Sequence, residues 1–320
     1  MRLARPVNIS TEDKMKLVTY NIRFGLGLDR QIDLGRIAEA VRDADIIALQ
    51  EVERFWKHSG MNDQPDILSK HLKEFYWVYF PAFNVDASER KDDGTVLNRR
   101  RQFGPMVLSR WPIRSSRFIG FPKLGTLDCI NLDTGAVECV IDTASESLRI
   151  YSLHLSAASS RERLMQIDRL LEFHRNAHAS GGAWTGDGMQ VDPIEAQHFA
   201  DQNWSNSEML PPMPTEAIMM GDFNSVPESK EYKRIVGDID PCYGRVGHLD
   251  GFVDSWTVAD NRSDERITWL PDPPDRTPGH GLTLDYCLVG PKLGRKVKRA
   301  WVDSAMEGSD HRPYWVELDG

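Results

Sequence analysis

The chain has 320 residues and a formal net charge of -9, from 39 basic and 48 acidic side chains, with a sequence pI near 5.5. This excess of acidic residues argues against nucleic-acid binding through an overall positive charge, although it does not exclude a local basic strip. Four cysteines without a CxxC pair indicate neither a zinc knuckle nor a disulfide framework, and no apolar segment is long enough to cross a bilayer. Residues 1–15 form a polar leader without a signal-peptide core, so we expect a cytoplasmic protein.

The first two predicted strands each carry a polar residue near the end. Lys16–Ile22 is rich in β-branched and aromatic residues, and Asn21 follows them, where a strand-end turn residue is the simpler explanation. Asp45–Val52 predicts a buried strand that closes with Glu51. That carboxylate fits either a salt-bridged rim residue or a ligand for a hard cation. Taken alone, the rim is the better explanation.

A highly charged segment follows the second predicted strand. Residues 84–101 predict a mobile loop that leads into a strand over Gly104–Arg110. The loop ends in three consecutive arginines, the last of which is Arg101. Such a run is most often a solvated loop, but beside an active site it would hold phosphate oxygens.

The middle of the chain contains one histidine at a predicted strand end. Leu148–Leu155 predicts a strand with His154 near its end, and Ser160–His178 predicts an amphipathic helix. A lone histidine in that position is more often a core residue than a catalyst. Residues 180–214 are irregular and rich in glycine and proline, which indicates a long surface insertion. This composition is equally compatible with a substrate lid and with disorder.

The strongest local pattern lies in Ile218–Ser225. A continuously apolar run stops at Gly221, and a carboxylate (Asp222) and a carboxamide (Asn224) follow on alternate residues. Residues two apart on a strand point to the same side, so the two polar groups would emerge together. A turn with local side-chain hydrogen bonds explains them equally well. Pro227–Val236 then predicts a helix with Glu228 in its first turn.

The last part of the chain adds two more polar positions. Leu282–Val289 predicts a strand that contains Asp285, and Tyr314–Leu318 predicts the last strand. Asp310 and His311 come just before that strand.

The shared position of these polar residues at the ends of predicted strands is more telling than any one of them. Their ordered set resembles the endonuclease/exonuclease/phosphatase superfamily, the DNase I-like metal-dependent phosphohydrolases. The resemblance covers residue 16 to the C-terminus. The motifs that carry it are Thr19–Ile22, Leu49–Glu51, Leu108–Ile113, Ser152–Leu155, Gly221–Asn224, Leu284–Tyr286 and Ser309–His311.

The resemblance implies one domain over residues 16–320 with a four-layer α/β/β/α sandwich. Two mixed β-sheets would pack face to face with helices outside, and the site would lie at one edge of the sandwich. It further implies a divalent-metal-dependent hydrolase of phosphoester bonds in which water attacks phosphorus. A hard cation suits this chemistry because the anionic oxygens of a phosphoester repel an anionic nucleophile.

The resemblance also implies roles for the residues at the edge. Glu51 would be the leading ligand of Mg2+, or alternatively Mn2+, with Asn21 and Asp310 near it, because Mg2+ prefers oxygen ligands. Arg101 and Arg110 would bind the substrate.

The remaining positions would carry the catalytic steps. Asp222, backed by Asn224, would orient or deprotonate the attacking water. His311 would contact the phosphate or act as a base, with Asp285 fixing its tautomer and raising its pKa. His154 would stabilise phosphoryl oxygens or protonate the leaving group.

Three functions stay open on the sequence. The insertion and the acidic balance favour a phosphodiesterase or phosphatase that acts on a small or lipid-like substrate. A DNA or RNA nuclease is the second alternative, although duplex DNA binding normally rests on many Lys and Arg contacts. A non-catalytic binding module on the same fold is the third. The sequence carries no signal for an oligomeric state.

Overall fold

The computed structural model describes residues 14–183, 192–195, 197, 213–271 and 281–320. Most of the predicted leader and most of the predicted insertion over residues 180–214 therefore lie outside the described residues. No described helix has both the length and the apolar character that a bilayer span requires.

The described strands are, in chain order, β1 (Lys14–Asn21), β2 (Ile46–Arg54), β3 (Tyr76–Tyr79), β4 (Phe83–Asp86), β5 (Glu89–Arg90), β6 (Val96–Leu97), β7 (Arg100–Ser109), β8 (Ile113–Gly120), β9 (Gly135–Asp142), β10 (Ser147–His154), β11 (Ala217–Asp222), β12 (Asp238–Asp240), β13 (Gly244–Val246), β14 (Val253–Asp254), β15 (Asn261–Arg262), β16 (Asp285–Val289), β17 (Val297–Val302) and β18 (Tyr314–Asp319). The described helices are α1 (Leu34–Val41), α2 (Gln64–His71), α3 (Ser160–Ser180), α4 (Lys230–Val236), α5 (Ser255–Val258) and α6 (Pro291–Gly294), with a 3-10 turn at Arg23–Gly25.

Two large mixed sheets form the body of the fold. The first has eight strands in the order β15-β17-β18-β1-β2-β7-β3, with β4 also paired to β7. The second has six strands in the order β14-β16-β11-β10-β9-β8. In each sheet one central pair is parallel, β1 with β2 and β10 with β11, while their outer neighbours are antiparallel.

Three apolar clusters show that the sheets and helices form four layers. Alternate residues of β1 separate its two faces: Leu17 packs between the sheets, and Val18 packs under the helices. Leu17 meets Ile150 and Ile218 of the second sheet in the inner cluster. Each fully buried aliphatic side chain of this kind contributes about 1.5–3 kcal/mol.

Helices cover both outer faces. Side chains of α1 and α2 pack on the first sheet, and side chains of α3 and α4 pack on the second. The α/β/β/α sandwich expected from the sequence is therefore confirmed.

Two local expectations are wrong. The charged segment over residues 84–101 is not one loop, because it contains the end of β4, the β5–β6 hairpin and the start of β7. Its side chains are largely exposed, so the apolar alternation that normally indicates a strand is missing. The helix expected from Pro227 begins at Lys230, because the Ser229 side chain caps it by accepting from Tyr232 N and Glu228 has φ +62°.

A buried histidine on α3 predicts a pH-dependent stability. His174 is 6% exposed, and burial lowers its pKa to about 4, with the nearby Arg149 acting in the same direction. In the unfolded chain its pKa is about 6.5. The unfolded state therefore binds more protons between these values, and stability falls as the pH drops through this window.

We expect the free energy of unfolding to decrease by about 2 kcal/mol from this residue alone between pH 7 and pH 5. Urea unfolding of the wild type and His174→Gln at both pH values measures the effect, which the substitution should remove. The matched control is His178→Gln, an exposed histidine one turn further along α3. An equal pH dependence in His174→Gln and the wild type would contradict the assignment.

Candidate active site

Strands from both sheets bring the polar residues to one edge of the sandwich. In the parallel pair β1–β2, Asn21 lies opposite Gln50, and in the parallel pair β10–β11, His154 lies opposite Asp222. The two edges meet, because Asn21 Nδ2 donates to Asp222 Oδ2 at 3.0 Å across the sandwich. The site therefore forms where the carboxyl ends of β1, β10 and β11 converge beside the segment of β2 around Gln50.

Asn21 connects two carboxylates at this edge. Its Nδ2 also donates to Glu51 Oε1 at 3.0 Å, and its Oδ1 accepts from Arg23 N at 3.0 Å. The side chain is fully buried. In this arrangement the carboxamide nitrogen of Asn21 holds Glu51 and Asp222 in place.

Glu51 lies in a strained stretch of β2. The pairing register between β2 and β7 shifts between Leu49 and Val52, which indicates a β-bulge, and Glu51 has φ +59°. A non-glycine residue in this region of backbone space is uncommon and costs of the order of 1 kcal/mol. The bulge aims the half-buried carboxylate at the edge where Asn21 meets it.

Asp222 is a buried carboxylate at the junction of the two sheets. It is 2% exposed, and its Oδ1 accepts from Asn224 N at 2.8 Å. Asn224 itself has φ +47° and donates from Nδ2 to Leu155 O at 2.9 Å, so the Asp222–Asn224 turn is tied to the end of β10.

Strand β11 can approach β10 closely because the residue before Asp222 is a glycine, Gly221. A Cβ at this position would lie 2.0 Å from Leu153 O, and its φ is +155°. A side chain there would force β10 and β11 apart, which would move Asp222 away from its partners.

His311 and His154 face the same oxygen of Asp222. His311 Nε2 lies 3.7 Å and His154 Nε2 lies 3.5 Å from Asp222 Oδ2. The other ring nitrogen of His311, Nδ1, lies 2.8 Å from Asp285 Oδ2. Because Asp285 holds Nδ1, Nε2 is the nitrogen directed into the site. Asp285 is itself fixed by its backbone N–H, which donates to Thr268 Oγ1 at 3.0 Å.

Burial and mutual charge determine the protonation of this cluster. Burial raises the pKa of Asp222, and the neighbouring Asp285 carboxylate acts in the same direction. Burial alone would lower the pKa of His311, but the carboxylates of Asp285 and Asp222 outweigh it and raise the pKa to about 10. The two carboxylates therefore favour the protonated form of His311.

Asp310 faces Arg23, which is two residues after Asn21. Its Oδ2 is 3.6 Å from Arg23 Nη1, and burial raises its pKa, with Glu51 adding to the effect. Ser309 Oγ donates to Asn21 O at 2.8 Å and joins the segment before β18 to the end of β1. Glu51 and Asp310 thus belong to one acidic group around Asn21.

The donor atoms suit a hard divalent cation. Glu51 and Asp310 provide carboxylate oxygens, and Mg2+ and Mn2+ favour such ligands. A second group is Asp222, Asp285 and His311, which offer one ligand atom each within 4.8 Å of one another. In that group His311 Nδ1 is already engaged by Asp285, so a cation there would depend on Nε2 and Asp222.

The two arginines assigned to substrate binding lie at different ends of the first sheet. Arg101 is near the start of β7, on the same face as Phe103, whose ring centroid is 6.2 Å from that of His154. Arg101 therefore belongs to the edge that carries the site.

Arg110 follows the other end of β7, where Ser109 pairs with Ile46 at the start of β2. Its Nε donates to Ala44 O at 3.0 Å and its Nη2 to Arg42 O at 2.7 Å. Its guanidinium is thus engaged at the edge opposite the site. Arg110 is not part of this site, because β7 runs antiparallel to β2.

Residues that the sequence analysis did not assign also shape the edge. Gln50 Nε2 donates to Ser152 Oγ at 3.1 Å, and Ser152 Oγ donates to Leu49 O at 3.1 Å, which locks β2 to β10 directly beneath the site. Gln50 and Ser152 both lie within motifs that carry the family resemblance, so the sequence did contain a signal for them. Nothing in the sequence indicated that Thr268 and Arg23 belong to the site, because their partners are far away in the sequence or on another element.

Comparisons with known proteins agree with this architecture. The sequence profile described as "Endonuclease/Exonuclease/phosphatase family" matches residues 18–311. No curated protein sequence matches the chain.

Solved structures of low sequence identity share the fold. An endonuclease/exonuclease/phosphatase from Beutenbergia cavernae is 18% identical, with 96% of this chain and 72% of that chain covered and a TM-score of 0.57. A mannosyl-6-phosphatase from Bacteroides thetaiotaomicron is 16% identical, with 96% and 100% covered and a TM-score of 0.59. Truncated TDP2 from Caenorhabditis elegans is 17% identical, with 96% and 98% covered and a TM-score of 0.54. At these identities the likeness concerns the fold alone.

Proposed function

The chain belongs to the endonuclease/exonuclease/phosphatase family, and from this premise we propose that it is a divalent-metal-dependent phosphoester hydrolase. The observation that carries the proposal is the pair of hydrogen bonds from Asn21 Nδ2 to Glu51 and Asp222. They join a half-buried carboxylate of one sheet to a buried carboxylate of the other at a single edge. Such convergence of acids from distant parts of the chain is costly unless the site uses them.

Glu51 and Asp310 would hold the cation, Mg2+ or alternatively Mn2+, with Asn21 fixing the direction of Glu51. When bound, the cation supplies Lewis acidity that neutralises charge on the phosphoryl oxygens. The strained backbone at Glu51 supports this role, because strain of this kind persists where the surroundings require a particular side-chain direction.

Asp222 would orient the attacking water and accept its proton. Its Oδ1 is held by Asn224 N–H, while Oδ2 faces the two histidines and Asn21. Burial raises its pKa, which makes this carboxylate a stronger base than an exposed aspartate.

His311 would bind the phosphoryl oxygens as a cation instead of acting as a base. The neighbouring carboxylates keep it protonated at neutral pH, and Asp285 directs Nε2 into the site. His154 would stand on the other side of Asp222, where its Nε2 would stabilise a phosphoryl oxygen or donate a proton to the leaving group.

Local pairing of the basic residues favours a small or lipid-like substrate over nucleic acid. In the arginine run, Arg99 lies 3.5 Å from Glu89, and Arg100 donates to Asn84. The other basic cluster of the chain, residues 292–299, is also paired, since Lys292 and Lys296 lie 3.0 Å from Glu216 and Glu146. The phosphatase and TDP2 among the similar structures fit either a phosphomonoester or a phosphodiester.

A substrate panel tests the activity. Chromogenic phosphomonoesters, phosphodiesters and labelled oligonucleotides are each assayed with Mg2+, Mn2+ and a chelator. We expect metal-dependent hydrolysis of a small ester. Cleavage confined to oligonucleotides, with a steep dependence on salt, would favour the nuclease alternative. The absence of metal-dependent turnover across the panel would favour a non-catalytic module.

Glu51→Gln should weaken the binding of the cation at the site. Replacing the charged ligand by an amide is expected to raise the half-saturating Mg2+ concentration about tenfold or more and to lower turnover at fixed Mg2+. Mg2+ titrations of the initial rate measure the shift, and Glu39→Gln, an exposed acid on α1, is the matched control. An unchanged Mg2+ dependence would remove Glu51 from the cation site.

A further inference from the structure

Beside the site lies a surface of planar side chains that the proposed chemistry does not use. It consists of Phe24, Trp56, His58, Arg101 and Phe103, and we call it the aromatic rim. Phe24 and His58 have ring centroids 4.5 Å apart, and those of Trp56 and His58 are 5.4 Å apart. The guanidinium of Arg101 lies 5.5 Å from the centre of the Trp56 ring.

The aromatic rim is continuous with the site at both ends. Phe24 directly follows Arg23, whose guanidinium is 3.6 Å from Asp310. Phe103 lies at the other end, with its ring centroid 6.2 Å from that of His154. A group attached to a phosphorus atom between Asp310 and His154 would therefore extend over the aromatic rim.

His58 is the most exposed ring of the aromatic rim and is held in a fixed orientation. Its side chain is 46% exposed, whereas that of its partner Glu53 is 1% exposed. His58 Nε2 lies 3.0 Å from Glu53 Oε1 and 3.2 Å from Oε2. The buried Glu53 side chain thus holds one ring nitrogen of an exposed imidazole in place, which lowers the entropic cost of stacking a ligand on it.

Arg101 is a cation without a carboxylate partner among the described residues, unlike its two neighbours in the arginine run. The Trp56 indole supports its guanidinium, and Trp56 is anchored in turn because its Nε1 donates to Gln102 O at 2.7 Å. The guanidinium is therefore presented as a second fixed plane beside His58.

We propose that the aromatic rim binds a planar aromatic ring carried by the phosphoester, which stacks against His58 and Arg101. This inference rests on the proposed function and adds the substrate class to it. Imidazole and guanidinium planes both stack well on flat rings. An alkyl chain gains nothing comparable, because it would have to desolvate the Arg101 charge without a partner for it.

Binding of four phosphate monoesters tests the proposal without requiring turnover. Calorimetry with the Asp222→Asn variant in Mg2+ compares phenyl phosphate, thymidine 5'-monophosphate, methyl phosphate and octyl phosphate. We expect the ring-bearing esters to bind at least about fivefold more tightly than the methyl and octyl esters. A preference for the thymidine ester would identify a nucleobase as the ring, and a preference for the phenyl ester would identify a simple aryl group.

Second substitutions in the Asp222→Asn background test whether His58 is responsible for the tighter binding of ring-bearing esters. His58→Ala should abolish the ring preference, while His58→Phe, which keeps a plane, should retain it. The matched control is Arg299→Ala, because Arg299 also stacks on an indole, that of Trp301, but on the outer face of the first sheet.

Three results would overturn the proposal: equal affinity for phenyl and methyl phosphate, tightest binding of octyl phosphate, or a ring preference that survives His58→Ala. Failure of the proposed function is a separate observation. It would appear as absent metal-dependent turnover of the wild type, whether or not ring-bearing esters bind.

Discussion

Asp222→Asn should lower kcat/KM by about a thousandfold or more while leaving the fold intact. The amide keeps the shape of the carboxylate and can still accept from Asn224 N. It cannot accept a proton from the attacking water, and it removes the negative charge that faces His154 and His311. Initial rates of metal-dependent ester hydrolysis measure the loss, and urea unfolding shows that stability is retained.

The matched control for this variant is Asp45→Asn. Asp45 is a half-buried carboxylate at the opposite end of the first sheet, where it accepts from Lys16 N at 2.9 Å. This control should keep wild-type kcat/KM. Activity of Asp222→Asn within about tenfold of the wild type would show that another group activates the water.

His311→Ala is expected to cost about a hundred- to ten-thousandfold in kcat, because it deletes the buried cation of the site. The expected loss has two parts: the Nε2 contact to the phosphoryl group disappears, and the negative charge of Asp285 is left without its partner. Asp285→Asn should reproduce only part of the loss, since the imidazole stays in place but its pKa falls.

The rates of His311→Ala and Asp285→Asn, measured at several pH values, separate the loss of the Nε2 contact from the effect of the unpaired Asp285 charge. His71→Ala, an exposed histidine of α2, serves as the control for removing an imidazole. If His311→Ala retains near wild-type kcat, the cation assigned to the phosphoryl oxygens must be another residue.

Short-range patterns in the sequence predicted the buried strands and the polar residues near their ends, whereas the four layers were implied by the family resemblance. Apolar runs marked the buried strands, and several polar residues near the ends of these runs, among them Asn21, His154 and Asp222, lie at one edge of the sandwich. Asp222 and Asn224 are the clearest case, since the glycine, acid and amide all fall within four residues.

Strand direction explains why Arg110 was wrongly expected at the site. Being at a strand end locates a residue only when the direction of the strand is known. Asp285 is at the site because β16 runs antiparallel to β11 and begins there. Arg110 is away from the site for the same reason, since β7 runs antiparallel to β2 and ends at the far edge. Sequence periodicity does not reveal which way a strand runs.

Other features required contacts between distant residues. The carboxamide of Asn21 turns its nitrogen toward Asp222, a partner 201 positions away. The positive φ of Glu51 follows from a register shift against β7, which only the folded sheet shows. The aromatic rim likewise assembles from the 3-10 turn, the segment after β2 and the start of β7.

The pairing of β1 with β18 has a consequence for how the molecule becomes functional. Ser309, just before β18, bonds the backbone of Asn21, 288 positions earlier. Closing so large a loop costs entropy before any contact repays it, and folds dominated by distant pairings form slowly. Catalytic competence should therefore emerge late during refolding, after most secondary structure has appeared. An intermediate that lacks only the final strand would look nearly native by circular dichroism and yet be inert.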